Sequence, residues 1–179
     1  MHLYLIGYRG SGKSTVGRLL AQALDRPLVD TDDWIESSQE KTIREIFAEQ
    51  GEAGFRDLEQ TAVSQVAAFP DPAVVALGGG AILRPANQQT LRTTGQCVWL
   101  DASAEFLYER ICSDSSSGDR RPNLTDRGGF AEVAEVLAAR RPVYNDLAKL
   151  TINVEGKSAD EVAREIVDWL NSADHRSAS

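Results

Sequence analysis

The stretch Gly7-Tyr8-Arg9-Gly10-Ser11-Gly12-Lys13-Ser14 limits what this chain can fold into more than any other part of it. Its spacing is G-x-x-x-x-G-K-S, and its flanks are as informative as the motif. Before it, Leu3-Tyr4-Leu5-Ile6 is a short apolar run that reads as a buried strand. After it, Val16, Leu19, Leu20, Ala23 and Leu24 recur at helical spacing until Pro27 stops the pattern. A strand, a glycine-rich turn and a helix in that order make a cradle for phosphate. The glycines let successive main-chain N–H groups turn inward, and the helix start adds its positive end. Gly10, Ser11, Gly12, Lys13, Ser14 and Thr15 are therefore expected around the phosphates of ATP. Lys13 is expected at the β- and γ-phosphates, and the Ser14 hydroxyl on Mg²⁺.

The alternation of strand and helix continues along the chain. Leu28-Val29 reads as a second strand running into Asp30, and Val74 to Leu77 as a third, ending in Gly78-Gly79-Gly80. Cys97 to Leu100 and Thr151 to Val154 read as a fourth and a fifth. Thr42 and Glu45 form a capping box over Ile43, Ile46 and Phe47, Gly51 punctuates, and a second helix is expected over 53–69. Pro85 and Gly95 bracket the next helix, and Ser103 caps one through Phe106, Leu107 and Ile111. Val133, Val136, Leu137 and Val143 mark another. Ser158 and Glu161 cap the last, through Val162, Ile166 and Leu170.

Apolar strands alternating with helices predict an α/β fold. A P-loop NTPase-type three-layer sandwich is expected, a five-stranded parallel sheet flanked by helices. One domain over 1–171 is expected, with a core of 1–30, 73–112 and 142–171 and a flexible tail over 172–179. The polar stretch 113–129 carries no apolar pattern and reads as a lid or a disordered insert. Helices over 32–69 are assigned to the acceptor. Ligands on such sheets bind beyond the carboxyl ends of the strands. Gly7–Ser14, Asp30–Asp32, Gly78–Gly80 and the Asp101 region should therefore share one crevice.

Composition sets the boundary conditions. The 179 residues carry a formal net charge of −8, which disfavours nucleic acid and anionic membrane as partners. An anionic ligand must then be held by a local cluster of Lys and Arg. The two cysteines, Cys97 and Cys112, show no metal-ligand or redox spacing and are expected as a buried core thiol and an incidental one. No apolar run approaches the roughly 20 residues of a membrane helix. A first strand beginning at His2 or Leu3 leaves no room for a targeting segment, so a cytoplasmic protein is expected.

Other signals admit two readings each. Asp30-Thr31-Asp32-Asp33 either caps a helix or gathers carboxylates for Mg²⁺ and a substrate hydroxyl. Arg56 and Glu59, three apart on a helix, form a surface ion pair or part of a site. Gly78-Gly79-Gly80 is a flexible turn or a close approach for a ligand. Arg140-Arg141 offsets a helix dipole or binds an anion, and Arg120-Arg121 is solvated or catalytic. Trp34 reads as packing.

Taken together and in order, GYRGSGKSTVGRLLA, VDTDDWIE, IFAEQGEAGFRDLE, VVALGGGA, RRPNL and ARRPVY resemble the shikimate kinases, from residue 2 to about 170. The resemblance implies that ATP phosphorylates the 3-hydroxyl of shikimate, a step of chorismate and aromatic amino acid biosynthesis, with Mg²⁺ as cofactor. It places Asp32 at the acceptor hydroxyl, as the group that takes its proton. It places Asp30 on Mg²⁺, and Arg56 and Arg140 on the shikimate carboxylate. Glu59 is similar to a carboxylate that orients Arg56. Gly78, Gly79 and Gly80 resemble the loop that contacts the substrate hydroxyls. Arg110 matches a position near adenine, and Arg121 a lid arginine that closes over the phosphates. Two departures stand out: Asn123 replaces a common Leu in RRPNL, and 113–118 is longer than usual. They leave the choice between Arg120 and Arg121 open.

A kinase of another small hydroxylated acid, such as gluconate, is the alternative, and a nucleotide-binding module without turnover is a third reading. Two arginines facing a carboxylate favour an acid as acceptor. A monomer working on ATP and shikimate, without nucleic acid or membrane, is expected.

Overall fold

The computed structural model describes residues 1–113 and 129–177, with side chains as far as 172. Five strands, β1 (His2–Ile6), β2 (Leu28–Asp30), β3 (Val74–Ala76), β4 (Gly95–Asp101) and β5 (Ala148–Asn153), pair in the order β2-β3-β1-β4-β5. Every pairing is parallel. A parallel sheet needs helices over both faces, and the sequence of β1 shows how one strand serves two of them. Leu3 and Leu5 point into one apolar cluster, with Val16 and Leu20 of α1 (Lys13–Leu24) and Ile166 of α7 (Ala159–Ser177). Tyr4 and Ile6 point into the other, with Val63 and Val66 of α3 (Ile43–Ala67), Leu91 of α4 (Pro85–Thr94) and Tyr144 of α6 (Gly129–Leu147). All four strand residues are almost wholly buried.

A third, smaller cluster stands apart from the sheet. Ile35 of α2 (Thr31–Gln39) packs with Ile43, Ile46, Phe55 and Ala62 of α3, with Trp34 and Phe47 against them. This is the helical region expected over 32–69, and Trp34 is the packing residue it was read as. The Thr42–Glu45 capping box is present in both directions. Gly51 breaks α3 as expected, at φ 67 and ψ −173, a backbone that L-residues rarely adopt.

The helix α2 was not called for by the apolar pattern, which over 31–39 holds little beyond Trp34 and Ile35. Asp30 starts it by accepting from the Asp32 N–H at 3.0 Å. At β5 the strand begins at Ala148, ahead of the expected Thr151, because pairing with Cys97 on β4 extends it. The last helix continues to Ser177 through the segment 172–177 read as a tail, and no glycine or proline stops it there. Residue 142, where the last core segment was expected to begin, lies inside α6, and Pro142 is accommodated within that helix. Ser113 ends α5 (Ala104–Ser113) and Gly129 opens α6, and the lid assigned between them lies outside the described residues. Both cysteines are free thiols; Cys112 is exposed, and burial pushes the Cys97 thiol up to about 12.

Candidate active site

The carboxyl ends of β1, β2 and β3 open into one cavity of about 650 Å³. Residues 9–12 of the loop 7–12 line it. Gly7, Gly10 and Gly12 all have positive φ. Gly7 has a second constraint: a Cβ there would lie 2.6 Å from the Leu100 carbonyl oxygen of the neighbouring strand. Gly12 precedes α1, and among the described residues no side chain caps that helix. Its first N–H groups are thus left to a ligand, which is the arrangement that binds phosphate. Lys13 Nζ donates to the carbonyls of Gly7 and Tyr8, each at 2.9 Å, and so lies along the loop rather than in solvent.

Ser14 and Asp30 meet at the edge of the cavity, the Ser14 hydroxyl donating to Asp30 Oδ2 at 2.6 Å. Burial raises the Asp30 carboxyl above its ordinary value, and the carboxylates of Asp32 and Asp33 push the same way. The Ser14 hydroxyl and the Asp32 N–H act against them. A carboxylate and a hydroxyl side by side, in a place that penalises lone negative charge, fit a hard divalent cation. Asp32 lines the cavity two residues further on, in the first turn of α2. Of the two readings left open by the sequence, the helix cap is the one seen here, with Asp30 accepting from the Asp32 N–H.

Positive charge gathers locally despite the acidic chain. Arg9, Lys13, Arg110 and Lys157 line the cavity with Asp30 and Asp32. Arg110 lies near the loop, with Nη1 3.5 Å from the Gly10 carbonyl and the guanidinium over the Phe106 ring. Val154 and Val162 add an apolar wall beside Lys157.

Arg56 and Arg140 come from helices far apart in sequence and meet at the glycine loop. Arg140 Nη1 donates to the Gly79 carbonyl at 3.1 Å, and the Tyr144 hydroxyl donates to the same oxygen at 2.9 Å. On the other side, Arg56 lies so close that a Cβ on Gly80 would be 1.8 Å from its Nη1. Both arginines are buried, Arg56 8% exposed and Arg140 6%. Glu59, 1% exposed, accepts from Arg56 Nη1 at 2.6 Å, so this pair is internal rather than a surface ion pair. Gly79 lines the cavity; Arg56 and Arg140 are not among its lining residues, and touch the loop at Gly80 and at Gly79 respectively.

The three glycines thus differ. Gly78 donates its N–H to Thr31 Oγ1 at 2.9 Å, Gly79 faces the cavity, and Gly80 makes room for Arg56. Arg141 separates from Arg140 and pairs with Asp101 at 3.0 Å, over the Trp99 ring. Thr31 and Tyr144 were missed by sequence reasoning. Tyr144 follows Arg140 by one helical turn, so its spacing was the available signal; Thr31 gave none. Arg120 and Arg121 lie outside the described residues.

A phosphate cradle at the end of β1, carboxylates at the end of β2 and paired arginines behind the loop after β3 define a P-loop phosphotransferase of a small acid. The sequence profile of the shikimate kinase family matches residues 9–171. A shikimate kinase of Rhodopirellula baltica is 48% identical over 166 residues, covering 93% of this chain and 88% of that protein. The structure of a shikimate kinase from Acinetobacter baumannii in complex with shikimate superposes with a TM-score of 0.89 at 32% identity, covering 96% of this chain and 93% of the other. The chain belongs to the shikimate kinase family. A gluconokinase from Sinorhizobium meliloti, at 17% identity and a TM-score of 0.63, shares the fold alone.

Proposed function

We propose that this chain transfers the γ-phosphoryl group of ATP to the 3-hydroxyl of shikimate, releasing ADP. One observation carries the reading: the phosphate loop, Asp32 and Gly79 line one cavity, and Arg56 and Arg140 converge on Gly79-Gly80 beside it. Phosphoryl transfer asks a protein for position and charge rather than covalent chemistry. Main-chain N–H groups of Gly10 to Lys13 hold the β- and γ-phosphates, and Lys13 neutralises them. Ser14 and Asp30 would hold Mg²⁺, which supplies further neutralisation of the phosphate oxygens when bound.

Arg56 and Arg140 take the acceptor's carboxylate and aim its hydroxyl at the γ-phosphorus. The hydroxyl oxygen forms the new P–O bond as the bond to the β-phosphate oxygen breaks, and Asp32 takes the hydroxyl proton. Gly79 offers its main chain to the substrate hydroxyls. Arg110, with Val154 and Val162, suits the base end of the nucleotide. Arg121 is assigned to the phosphates on the family resemblance. No helix among the described residues is long and apolar enough to cross a membrane. The net charge of −8 supports small molecules rather than nucleic acid as partners, and two free thiols suit a reducing cytoplasm.

An ADP-release assay with shikimate, gluconate and a nucleoside monophosphate, each with and without Mg²⁺, tests the reading. Turnover with shikimate alone, dependent on the divalent cation, is expected. Turnover with gluconate instead, or nucleotide binding with no turnover on any acceptor, overturns it.

A further inference from the structure

The guanidinium of Arg56 already meets two carboxylates of its own chain. Nη1 donates to Glu59 Oε2 at 2.6 Å. Nε and Nη2 together donate to Glu52 Oε1, at 3.2 and 2.8 Å. An arginine recognises a carboxylate through paired parallel donors on one edge, and Nε with Nη2 is such an edge. Glu52 therefore occupies a fork that an acid would use.

The two glutamates are held very differently. The Glu59 side chain is 1% exposed and Glu52 is 57% exposed. Moving Glu59 off its arginine would strand a buried charge, whereas Glu52 has water to move into. Glu52 also follows the break in α3: Gly51 leaves helical geometry, and a Cβ there would meet nothing within 4 Å. The corner that carries Glu52 thus has room to turn.

We propose that Glu52 is a built-in competitor for the acceptor's carboxylate, holding the Nε–Nη2 edge of Arg56 until an acid displaces it. This rests on the shikimate kinase reading, with Arg56 at the carboxylate. Docking then exchanges one carboxylate for another, so Arg56 stays charge-paired throughout. The exchange also selects: a neutral polyol offers nothing to replace the lost Glu52 pair, while an acid does. The consequence is a weaker apparent affinity for shikimate than the bare site would have.

Glu52→Gln keeps the side chain's shape and removes its charge. With ATP saturating, its KM for shikimate is expected to fall by about two- to fivefold, the range set by one half-exposed ion pair. The kcat and the KM for ATP are expected to stay at wild-type values. A KM for shikimate that is unchanged or raised overturns the proposal, a rise meaning that Glu52 positions Arg56 instead. Should Glu52→Gln not fold, as judged by its thermal melt, Glu52→Ala is read in the same way. The wild-type protein in the same assay keeps the two readings apart: no turnover of shikimate removes the functional assignment, whereas normal wild-type turnover with an unchanged variant KM removes only the role of Glu52.

Discussion

Gly80 and Arg56 compete for one volume: a Cβ on the glycine would lie 1.8 Å from Nη1 and 2.4 Å from Cζ. The Gly80 backbone, at φ −97, would suit any residue, so proximity alone requires glycine here. Gly80→Ala should drive the guanidinium off Glu59 and out of line with the acceptor. The clash is with a side-chain end rather than with backbone, but it strands the buried Glu59 charge, so a stability loss of about 3–5 kcal/mol should accompany the kinetic effect. The KM for shikimate should rise about ten- to a hundredfold, the value of a charged hydrogen bond or two. Steady-state kinetics with a thermal melt check this, and a KM within about twofold of wild type contradicts the placement of Arg56.

Asp32 reaches the cavity from the first turn of α2, in the shadow of the Asp30 cap. Asp32→Asn keeps size and hydrogen bonding while removing the proton acceptor. The kcat should drop by about a hundred- to ten-thousandfold, with little change in nucleotide affinity. ADP binding by calorimetry beside kcat separates the two effects, and near-normal turnover rules Asp32 out as the base.

The Gly79 carbonyl receives two donors, Arg140 Nη1 and the Tyr144 hydroxyl. Tyr144→Phe removes one and leaves the oxygen satisfied by the other, so the expected loss is about 1 kcal/mol of stability. Arg140→Ala removes a donor and the second carboxylate anchor, and should raise the KM for shikimate at least about tenfold while sparing that for ATP. Denaturant unfolding and kinetics on both variants check the contrast. Equal KM values for Arg140→Ala and wild type discard the anchoring role.

His2 makes stability depend on pH away from the site. Its Nδ1 accepts the Ala73 N–H at 3.1 Å, which requires the neutral ring. Burial is the main cause lowering its pKa from 6.5; the Ala67 carbonyl opposes it, and the N-terminus and Arg26 add to it. The unfolded chain then takes up a proton near 6.5 while the folded chain resists until a lower pH. Between those values the unfolded state binds more protons, so stability falls as pH falls below 6.5. Between about pH 7.5 and 5.5, the melting temperature of wild type should drop further than that of His2→Asn. Identical drops would remove His2 as the cause.

Parts of this protein were legible because the chemistry lies in one continuous stretch. The phosphate cradle needs only glycines, Lys13 and Ser14 between a strand and a helix, and all of that is local. The break at Gly51 and the Thr42–Glu45 box were readable for the same reason. The start of α2 was legible too, since Asp30 reads as a cap, but its length was not, because Trp34 and Ile35 are too few apolar residues to mark it. Helical spacing allowed both Glu52 and Glu59 to reach Arg56, and it could not say which lies inside.

The sequence by itself determined the alternation of elements and the phosphate loop, since short-range backbone preferences and apolar periodicity fix both. The tertiary structure alone decided that Arg56 and Arg140 meet at Gly79-Gly80. It also decided that Glu59 is buried while Glu52 faces water, and that Thr31 and Tyr144 hold the loop between them. Those encounters follow from the strand order β2-β3-β1-β4-β5, which sets β3 between β2 and β1 and brings α3 and α6 to its end. Side chains so distant along the chain acquire a relationship only once the sheet has assembled.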